Sequence, residues 1–479
     1  MSGLYQGKKK IVKNVSLGAL TQVLMILSTI VTIPYVTRIF TPGQMGIYGL
    51  GYSIVAFLSV VAGIGFEYYG TRMISTTVDR RERSKIFFAL WRLQIIFVLV
   101  LAFLYCMTLQ VIDPLDKMSY ILQAGMIISV VFDVSWLFMG VEDVALIVRR
   151  NVVSKLVVIA GIFLFVKTQS DINLYIILIF SGALIGNVSS FLAARKYISF
   201  DYYKSKTERK DLLGIFRLAA PSSLVSAISP IQNSIITGLS NGTYSTGIFD
   251  QSNRIINMVY QVIKSGLKAI TPRLSHYAVN DIDFTKSDKY ISIASYCNII
   301  VSTIFVVCIY NTAGSFTNFF FGPQYQEISV FLIIGSLLLF PKVLSRIIYD
   351  MYFIPRRLDR LYSKSCLIYI VVTILFTLLG VYYYGAKGAV IAMVISETIM
   401  IITNLWLIRD RDISFLFIKT FIAWATLSSV SILVIKLFNL TFSSDNGVLS
   451  FIVNGCISAF VCLIILSPIL LKTYRKIHP

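Results

Sequence analysis

The sequence predicts an all-α protein that crosses a membrane many times, and three observations support this. Of the 479 residues, 56% are hydrophobic and only 14% are charged, whereas soluble domains are about half apolar and about a quarter charged. The mean hydropathy is +0.78. The apolar residues stand in long runs, many of them close to the roughly 20 residues that a membrane-spanning helix needs. We therefore expect a polytopic helical membrane protein.

Apolar runs separated by polar or Gly/Pro-rich stretches predict about 14 transmembrane helices. The basic amino terminus precedes the first run without a cleavage site at signal-peptide distance, so we interpret that run as a retained span. The predicted spans lie near residues 15–37, 46–69, 86–109, 119–139, 152–167, 174–194, 213–237, 247–271, 290–311, 327–348, 365–384, 388–408, 415–437 and 448–471.

The formal net charge of +20 comes from short loops rather than from a nucleic-acid-binding surface. Positive residues are concentrated in alternate loops, which is the pattern of cytoplasmic loops in membrane proteins. This rule and the even number of spans place both termini in the cytoplasm, and we expect no nucleic acid partner. The positive clusters include Lys8, Lys9 and Lys10; Arg80, Arg81 and Arg83; Arg149 and Arg150; Arg209 and Lys210; Arg356 and Arg357; and Lys472 and Arg475.

The residue types needed for most enzyme chemistry are scarce. The six cysteines lie in apolar segments without a CxxC pair, and His276 and His478 are the only histidines. A zinc site or a histidine-based acid–base centre is therefore not expected. The sequence has no GxxxxGK[ST] stretch for nucleotide phosphates. We expect no enzyme activity, no cofactor and no metal site.

A weak internal repeat relates the two halves of the chain. A shift of 201 residues, the distance from Gly46 to Gly247, also places Gly65 on Gly266 and keeps one register across a whole span. Two halves with the same even number of spans insert in the same direction. The predicted domains are an N-terminal six-helix bundle, a cytoplasmic linker, a second six-helix bundle, and two further helices with a tail; they cover residues 1–196, 197–212, 213–408 and 409–479.

The eighth span carries a polar stripe. Its members are spaced 4, 3, 4, 3 and 4 residues apart, which is one face of an α-helix. Charges within a membrane usually face a protein interior or a water-filled cavity, so the stripe predicts a cationic cavity that suits an anionic substrate. A helix lying on the membrane surface is the alternative. The stripe consists of Asp250, Arg254, Asn257, Gln261, Lys264 and Lys268.

The repeat also aligns two opposite charges. Under the same shift, Glu67 at the end of the second span corresponds to Lys268. We interpret this pair as a gate at the cytoplasmic mouth of the cavity, while the alternative is that each side chain extends separately to the interface. Asp133 and Glu397 are isolated carboxylates in apolar spans. Each could carry a coupling H⁺ or Na⁺, or could be part of hydrogen-bonded structure.

Two stretches resemble the bacterial polysaccharide or O-antigen flippases of the multidrug/oligosaccharidyl-lipid/polysaccharide exporter superfamily. The first, residues 13–75, contains "KN", "IPYVTRIFTPGQMGIYG" and "GFEYYGTR"; the second is "GIFDQSNRIINMVYQVIKSGLKAITPRLS", residues 247–275. The span layout agrees over nearly the full length. Phe249 stands where the family often has tyrosine, so no hydroxyl role is carried over to that position.

The resemblance implies two six-helix bundles around a V-shaped central cavity, with two additional C-terminal helices. It also implies alternating access that moves an undecaprenyl-diphosphate-linked oligosaccharide across the bacterial plasma membrane, with the polysaccharide polymerase machinery as a further partner. Cationic cavity residues of the family are thought to hold the pyrophosphate or acidic sugars. Onto this chain the resemblance carries Arg254, Lys264, Lys268, Arg38 and Arg346.

Three alternatives stay open at this point. A drug or cation antiporter of the same superfamily would favour an acidic cavity, which the Arg/Lys stripe opposes. A lipid II flippase would share the layout, and no feature of the sequence selects that substrate. A membrane-embedded glycosyltransferase or polymerase would need a catalytic acid or base and a large external loop, whereas every predicted external loop is short.

Overall fold

The computed structural model describes residues 23–477, with gaps at 25, 64–65, 112–116, 204–227, 241, 269–284, 354–355, 357, 409–410 and 445. The described residues form helices joined by short connections and contain no strand. Nine of these helical segments are long and apolar enough to cross a membrane. A described helix overlaps each of the predicted spans, which confirms the all-α polytopic fold.

The chain forms two compact units, Met1–Ser234 and Ile235–Pro479. The helices that begin in the first unit are α1 Ile26–Ile39, α2 Pro42–Ala62, α3 Thr71–Ser75, α4 Arg80–Val111, α5 Lys117–Ser129, α6 Ser135–Gly140, α7 Val144–Phe165, α8 Ile172–Ala193 and α9 Ile228–Leu239. The remaining helices are α10 Gly242–Lys268, α11 Thr285–Phe320, α12 Ile328–Ser336, α13 Leu339–Ile347, α14 Asp359–Leu407, α15 Arg411–Leu437 and α16 Gly447–Ile477.

Local sequence explains where α2 begins. Thr41 is its N-cap, Pro42 occupies the first turn, and the Gln44 backbone N–H donates to the Thr41 hydroxyl over 3.3 Å. The Thr41 backbone N–H in turn donates to the Gln44 side chain over 3.1 Å. This reciprocal capping box satisfies two amides that the first helical turn would otherwise leave unpaired. Proline suits this position because it has no N–H to satisfy and its φ is helical.

Aromatic side chains fill the core of the first unit near the predicted cytoplasmic end. Phe87, Phe88, Trp136 and Phe138 are almost completely buried there, and the Phe87 and Trp136 ring centroids lie 5.3 Å apart. Gly70 permits this packing, since a Cβ added to it would lie 2.8 Å from the Trp136 ring. Close packing at membrane depth commonly depends on such small residues.

The end of the second predicted span is not a regular α-helix. A π-helical turn, Phe66–Gly70, precedes α3. α3 lies against α6, where a Cβ on Gly140 would come within 2.6 Å of Ile74. The stretch that carries Glu67 is therefore a π-helical turn that leads into α3 in the first unit. The Glu67 side chain lies outside the described residues.

The first part of the predicted cytoplasmic linker packs on the first unit. Ile198 of the linker is buried in the aromatic core of the first unit, as is Ala194 just before the linker. The Ser199 backbone N–H donates to Ser84 Oγ over 2.8 Å, and the Arg80 guanidinium donates to the Ile198 carbonyl over 3.1 Å. The two units divide after Ser234, and residues 204–227 lie outside those described. The predicted domain limits therefore stay a prediction.

The longest helical element of the second unit is a hairpin of two spans. α14 changes direction at Gly385, whose φ of 59° and ψ of −150° are not helical. A Cβ added to Gly380 would lie 2.5 Å from the Gly388 carbonyl oxygen, so the two limbs meet backbone to backbone. Only glycine reaches both this dihedral region and this separation without strain. The eleventh and twelfth predicted spans are the two limbs.

Candidate functional site

The polar stripe predicted for the eighth span lies on α10, a continuous helix. Arg254 Nε donates to Asp250 Oδ2 over 2.9 Å, one turn away on the same face. The Arg254 side chain keeps 26% of its surface exposed and that of Asp250 keeps 15%. The aspartate therefore orients the guanidinium while part of the arginine surface stays accessible.

α13 adds two cations to this stripe. Lys342 Nζ donates to Asn257 Oδ1 over 2.8 Å, which joins two helices whose residues are 85 positions apart. The same ammonium lies 4.8 Å from the centroid of the Tyr260 ring, and Lys264 Nζ lies 5.8 Å from it. Tyr260 is therefore an aromatic platform between two lysines, in the range of cation–π attraction.

One turn further along α13, Arg346 Nε donates to Asp350 Oδ2 over 2.7 Å. Its guanidinium carbon lies 5.1 Å from the Tyr349 ring centroid. Arg346 and Asp350 both interact electrostatically with Tyr260. Arg346 keeps 31% of its side-chain surface exposed, so it resembles Arg254 in having a carboxylate partner one turn away together with open surface. We call Arg254, Lys264, Lys342 and Arg346 the basic cluster.

Glu397 on the second limb of α14 belongs to the surroundings of the basic cluster. It is only 5% exposed. Lys342 attracts it electrostatically, and the Tyr369 hydroxyl hydrogen-bonds to it. Glu397 is isolated only along the sequence, because a cation and a phenol from two other helical segments face it in the structure. Whether it carries an ion stays a prediction.

The basic cluster is suited to binding an anion. It gathers four cationic side chains on α10 and α13, and the three carboxylates near them are Asp250, Asp350 and Glu397. Arginine binds phosphate or carboxylate in a fixed two-pronged geometry, and lysine adds a mobile point charge. Among the described residues no group of three or more His, Cys, Asp or Glu side chains could hold a metal ion.

The first unit has a different polar network. Arg150 on α7 donates to Ser190 Oγ over 2.8 Å and to Ser135 Oγ over 3.1 Å. One of its terminal nitrogens lies 3.7 Å from Asp133 Oδ1, and Ser135 Oγ donates to that oxygen over 2.5 Å. These contacts agree with the alternative that Asp133 is part of hydrogen-bonded structure, and whether it carries an ion stays a prediction. Arg150 has a structural role in addition to its place in a basic loop.

Side chains of α4 stabilise the break between α5 and α6. The chain from Val130 to Val134 leaves the α-helix, so several carbonyl groups lose their helical partners. The Gln94 amide donates to the Val130 and Asp133 carbonyls over 2.5 and 3.0 Å. Trp91 Nε1 donates to the Val131 carbonyl over 2.9 Å. α4 thereby supplies the hydrogen bonds that the broken span requires.

The remaining predicted site residues are placed as follows. Gln261 is half-buried on α10, and Arg38 is exposed near the end of α1 in the first unit. Glu67 and Lys268 lie in the π-helical turn and at the last residue of α10, and their side chains lie outside the described residues. The gate between them therefore stays a prediction.

Lys342, Arg346 and Asp350 repeat every fourth residue, which places them on one helical face. That spacing is the same signal that identified the α10 stripe. The run is short, however, and the sequence left open whether Lys342 and Arg346 face the cavity or the headgroups. No periodicity could have indicated Tyr260 or Tyr369, since their importance depends on the neighbouring helices.

Comparison with protein families gives one match over more than half of the chain. A family model described as "Polysaccharide biosynthesis protein" matches residues 11–278. A protein of Escherichia coli (strain K12), named as a candidate O-antigen transporter, is 24% identical over 412 residues that cover 84% of this chain and 97% of that protein. A Shigella dysenteriae protein of the same name is 24% identical over 391 residues, which cover 78% and 93% of the two chains.

Two solved structures have a similar fold. The lipid II flippase MurJ in an inward closed conformation aligns with a TM-score of 0.72 over 96% of this chain and 100% of its own, at 14% identity. An inward-facing multidrug resistance MATE family transporter of the MOP superfamily aligns with a TM-score of 0.59 over 82% and 95% of the two chains, at 18% identity. At these identities the likeness concerns the fold.

Proposed function

The chain belongs to the polysaccharide biosynthesis protein family, and we propose that it moves a lipid-linked oligosaccharide across the bacterial plasma membrane. The relatives are named as transporters and flippases rather than enzymes, and this chain is likewise a multi-pass membrane transporter. The proposed substrate is an undecaprenyl-diphosphate-linked repeat unit that passes from the cytoplasmic to the outer leaflet by alternating access. The polymerase that consumes the exported unit is a proposed partner.

The basic cluster is the observation that supports this substrate. A diphosphate linker carries more than one negative charge in a compact volume, and four cations on α10 and α13 provide a matching surface. Arg254 and Arg346 each keep about a quarter to a third of their side-chain surface exposed. A ligand phosphate can therefore contact either guanidinium without first breaking a buried network.

The same cluster opposes a drug-antiport function, and the names of the relatives bear on the choice between the two lipid-linked substrates. A site for cationic drugs would place carboxylates at the centre, whereas here Asp250 and Asp350 each lie one turn from an arginine. A lipid II flippase would also need to bind a diphosphate, so the cluster does not separate that substrate from an oligosaccharide repeat. The names of the two relatives from E. coli and S. dysenteriae favour surface polysaccharide.

Glu397 is the stronger of the two proposed coupling groups. It is buried next to Lys342, so a change in its charge would alter the electrostatics of the basic cluster directly. Asp133 instead lies in the network of Arg150, Ser135 and Ser190 in the first unit. We propose that binding or release of H⁺ or Na⁺ at Glu397 is coupled to transport.

Deletion of the gene tests the proposed function. We expect loss of surface polysaccharide and accumulation of the undecaprenyl-linked oligosaccharide in the inner leaflet, with drug sensitivity unchanged. Wild-type protein should restore export, whereas Arg254→Ala and Lys264→Ala should reduce it at least tenfold at equal membrane content. Lys436→Ala, which removes an exposed cation in the last turn of α15, is the matched control and should export normally.

Two results would contradict this proposal. Normal polysaccharide in the deletion strain together with new drug sensitivity would favour a drug antiporter. A block of peptidoglycan synthesis with intact surface polysaccharide would favour lipid II. Wild-type export by both Arg254→Ala and Lys264→Ala would reject the role of the basic cluster while leaving the substrate assignment to be judged on the deletion strain.

We also propose that Glu67 and Lys268 close the cytoplasmic mouth as an ion pair. Glu67→Lys and Lys268→Glu should each reduce export, because each single change places two like charges together. The double charge swap should restore export toward the wild-type level, measured as surface polysaccharide. No recovery in the double variant, with both single variants inactive and normally inserted, would count against the pairing.

A further inference from the structure

A cavity lies in the second unit, apart from the residues of the basic cluster. It has a volume of about 810 Å³ and lies between the C-terminal third of α11, the connection from α15 to α16, and the first turns of α16. This size falls within the roughly 300–1,000 Å³ of small-molecule sites. Asn311, Asn318 and Asn454 contribute amides to its wall, and Phe319 and Phe442 contribute aromatic rings.

The wall of this cavity is held by internal hydrogen bonds. Asn454 Oδ1 accepts from the Phe442 backbone N–H over 2.7 Å, and its Nδ2 donates to the Phe442 carbonyl over 3.0 Å. Ser450 Oγ accepts from the Ser444 backbone N–H over 2.9 Å. These bonds fix the α15–α16 connection against α16, so a ligand would not have to order the wall when it binds.

Asn311 ties α11 to the other parts of the wall. Its Nδ2 donates to Ser458 Oγ over 3.1 Å and to the Leu440 and Asn454 carbonyls over 3.4 Å. Its Oδ1 is buried without a hydrogen-bond partner, so a ligand in the cavity does not contact that atom. The Asn311 amide therefore stabilises the wall and is not counted among the groups offered to a ligand.

The combination of groups indicates the chemistry of the ligand. Amides and serine hydroxyls can both donate and accept hydrogen bonds, and aromatic rings offer flat apolar surface. A sugar ring matches this wall, since hydroxyl groups surround its rim and its faces expose C–H groups. The described wall residues include no charged side chain, in contrast to the basic cluster. The described part of the wall therefore offers a phosphate or another anion no charged partner.

The predicted orientation places the cavity on the outer side of the membrane. α15 begins at Arg411, and the last turns of α16 contain Lys472, Arg475 and Lys476. The positive-inside rule assigns those ends to the cytoplasm, so the connection between the two helices lies outside. We propose that this cavity is a saccharide-binding site that receives sugar units on the outer side, separately from the basic cluster. That those sugars are exported repeat units rests on the proposed function. That the ligand is a saccharide rests on the cavity wall alone.

A glycine in the wall permits a direct test. A Cβ added to Gly314 meets no atom within 4 Å, and Gly314 lines the cavity, so Gly314→Leu should fill the space without displacing the protein. Gly455 on α16 likewise has open space around an added Cβ and does not line the cavity. Gly455→Leu is therefore the matched control. Phe442→Ala, which removes an exposed ring, is a second variant that should leave folding intact.

The binding measurement uses the full-length protein in lipid nanodiscs and titration calorimetry. The probes are the lipid-free repeat-unit oligosaccharide released from the bacterium's own surface polysaccharide, and the intact polysaccharide. We expect at least one probe to bind the wild-type protein and Gly455→Leu alike. Gly314→Leu and Phe442→Ala should weaken that binding at least tenfold. Binding of the oligosaccharide identifies the exported unit as the source, and binding of the polysaccharide alone identifies the polymer; both outcomes support the site.

The saccharide site would be overturned if neither probe binds. It would also be overturned if wild-type protein and both cavity variants bind a probe equally. This failure is distinct from failure of the proposed function, which the deletion strain reports. If the deletion leaves surface polysaccharide normal while Gly314→Leu abolishes sugar binding, the site stands and its assignment to exported repeat units is overturned.

Discussion

Each unit contains arginines close to carboxylates, but the two units surround them differently. In the first unit, Arg150 is only 10% exposed and reaches Ser190, Ser135 and Asp133 from α7. In the second unit, Arg254 and Arg346 are 26% and 31% exposed, and each pairs with an aspartate one turn away on its own helical segment. The first arrangement joins separate segments of the chain, whereas the second leaves arginine surface accessible.

This difference separates a structural arginine from one that we propose binds the substrate. An ion pair between residues i and i+4 contributes only about 0.3–0.5 kcal/mol, so replacing its aspartate by a ligand phosphate changes the stability of the unit little. Arg150 links α7 to α8 and to the break before α6, where the broken helix depends on side-chain hydrogen bonds. The same residue type therefore serves folding in one unit and is available for substrate in the other.

The largest expected effect on stability is at Arg150. Arg150→Met removes charged hydrogen bonds to Ser190 and Ser135, each of a kind that contributes about 1.5–3 kcal/mol when buried. Asp133 keeps 42% of its surface exposed, so its loss of a partner adds little. We expect about 3 kcal/mol of destabilisation in total, measured as reversible unfolding of the purified protein in detergent. Arg254→Met should change the same quantity by less than about 0.5 kcal/mol.

A larger loss of stability at Arg254 than at Arg150 would contradict this distinction between the two units. If Arg254→Met destabilised the protein more than Arg150→Met, the basic cluster would be a structural network, and its proposed role in binding substrate would lose its main support. Arg150→Lys offers a further check. Lysine retains the positive charge but not the forked geometry that reaches two serines at once, so it should recover only part of the lost stability.

The smallest expected effect is at Asp250. Asp250→Asn removes the carboxylate beside Arg254 but retains an acceptor of similar shape, so the free energy of unfolding should change by less than about 0.5 kcal/mol. Inorganic pyrophosphate should bind about threefold more tightly, since one competing negative charge is gone; this corresponds to about 0.7 kcal/mol. Calorimetry on the nanodisc protein measures this shift. Weaker binding would show that Asp250 is needed to orient Arg254 for the anion.

The sequence predicted elements whose signals are local or periodic. The second span was predicted from its apolar run near residue 46, and α2 begins at Pro42, where the Thr41–Gln44 capping box is a local signal of residues three positions apart. The stripe from Asp250 to Lys264 follows from helical periodicity, and it lies on one continuous helix. Both signals are contained within one helix, so no knowledge of packing was needed to interpret them.

The sequence interpretation failed where a side chain depends on a distant partner. Arg150 stands beside Arg149 in a basic loop, which resembles a topology signal, yet its hydrogen bonds run to Ser190, 40 positions away. For Lys342 the sequence left open whether the side chain faces the cavity or the headgroups, whereas the structure shows that it reaches Asn257 across 85 positions. The saccharide cavity likewise combines α11 with the α15–α16 connection, and no motif in either segment indicates it alone.

From the sequence alone one can predict a polytopic helical membrane protein, the polar face of α10 and the basic loops. These properties follow from hydropathy and helical periodicity, which act over one or two turns at a time. The packing of the helices is needed to show that α13 completes the basic cluster, that Arg150 joins α7 to α8 and to Ser135 beside the break before α6, and that Asn311 lines a cavity. Those outcomes depend on which helices pack together, because a buried polar group must find its partner wherever the packing places one.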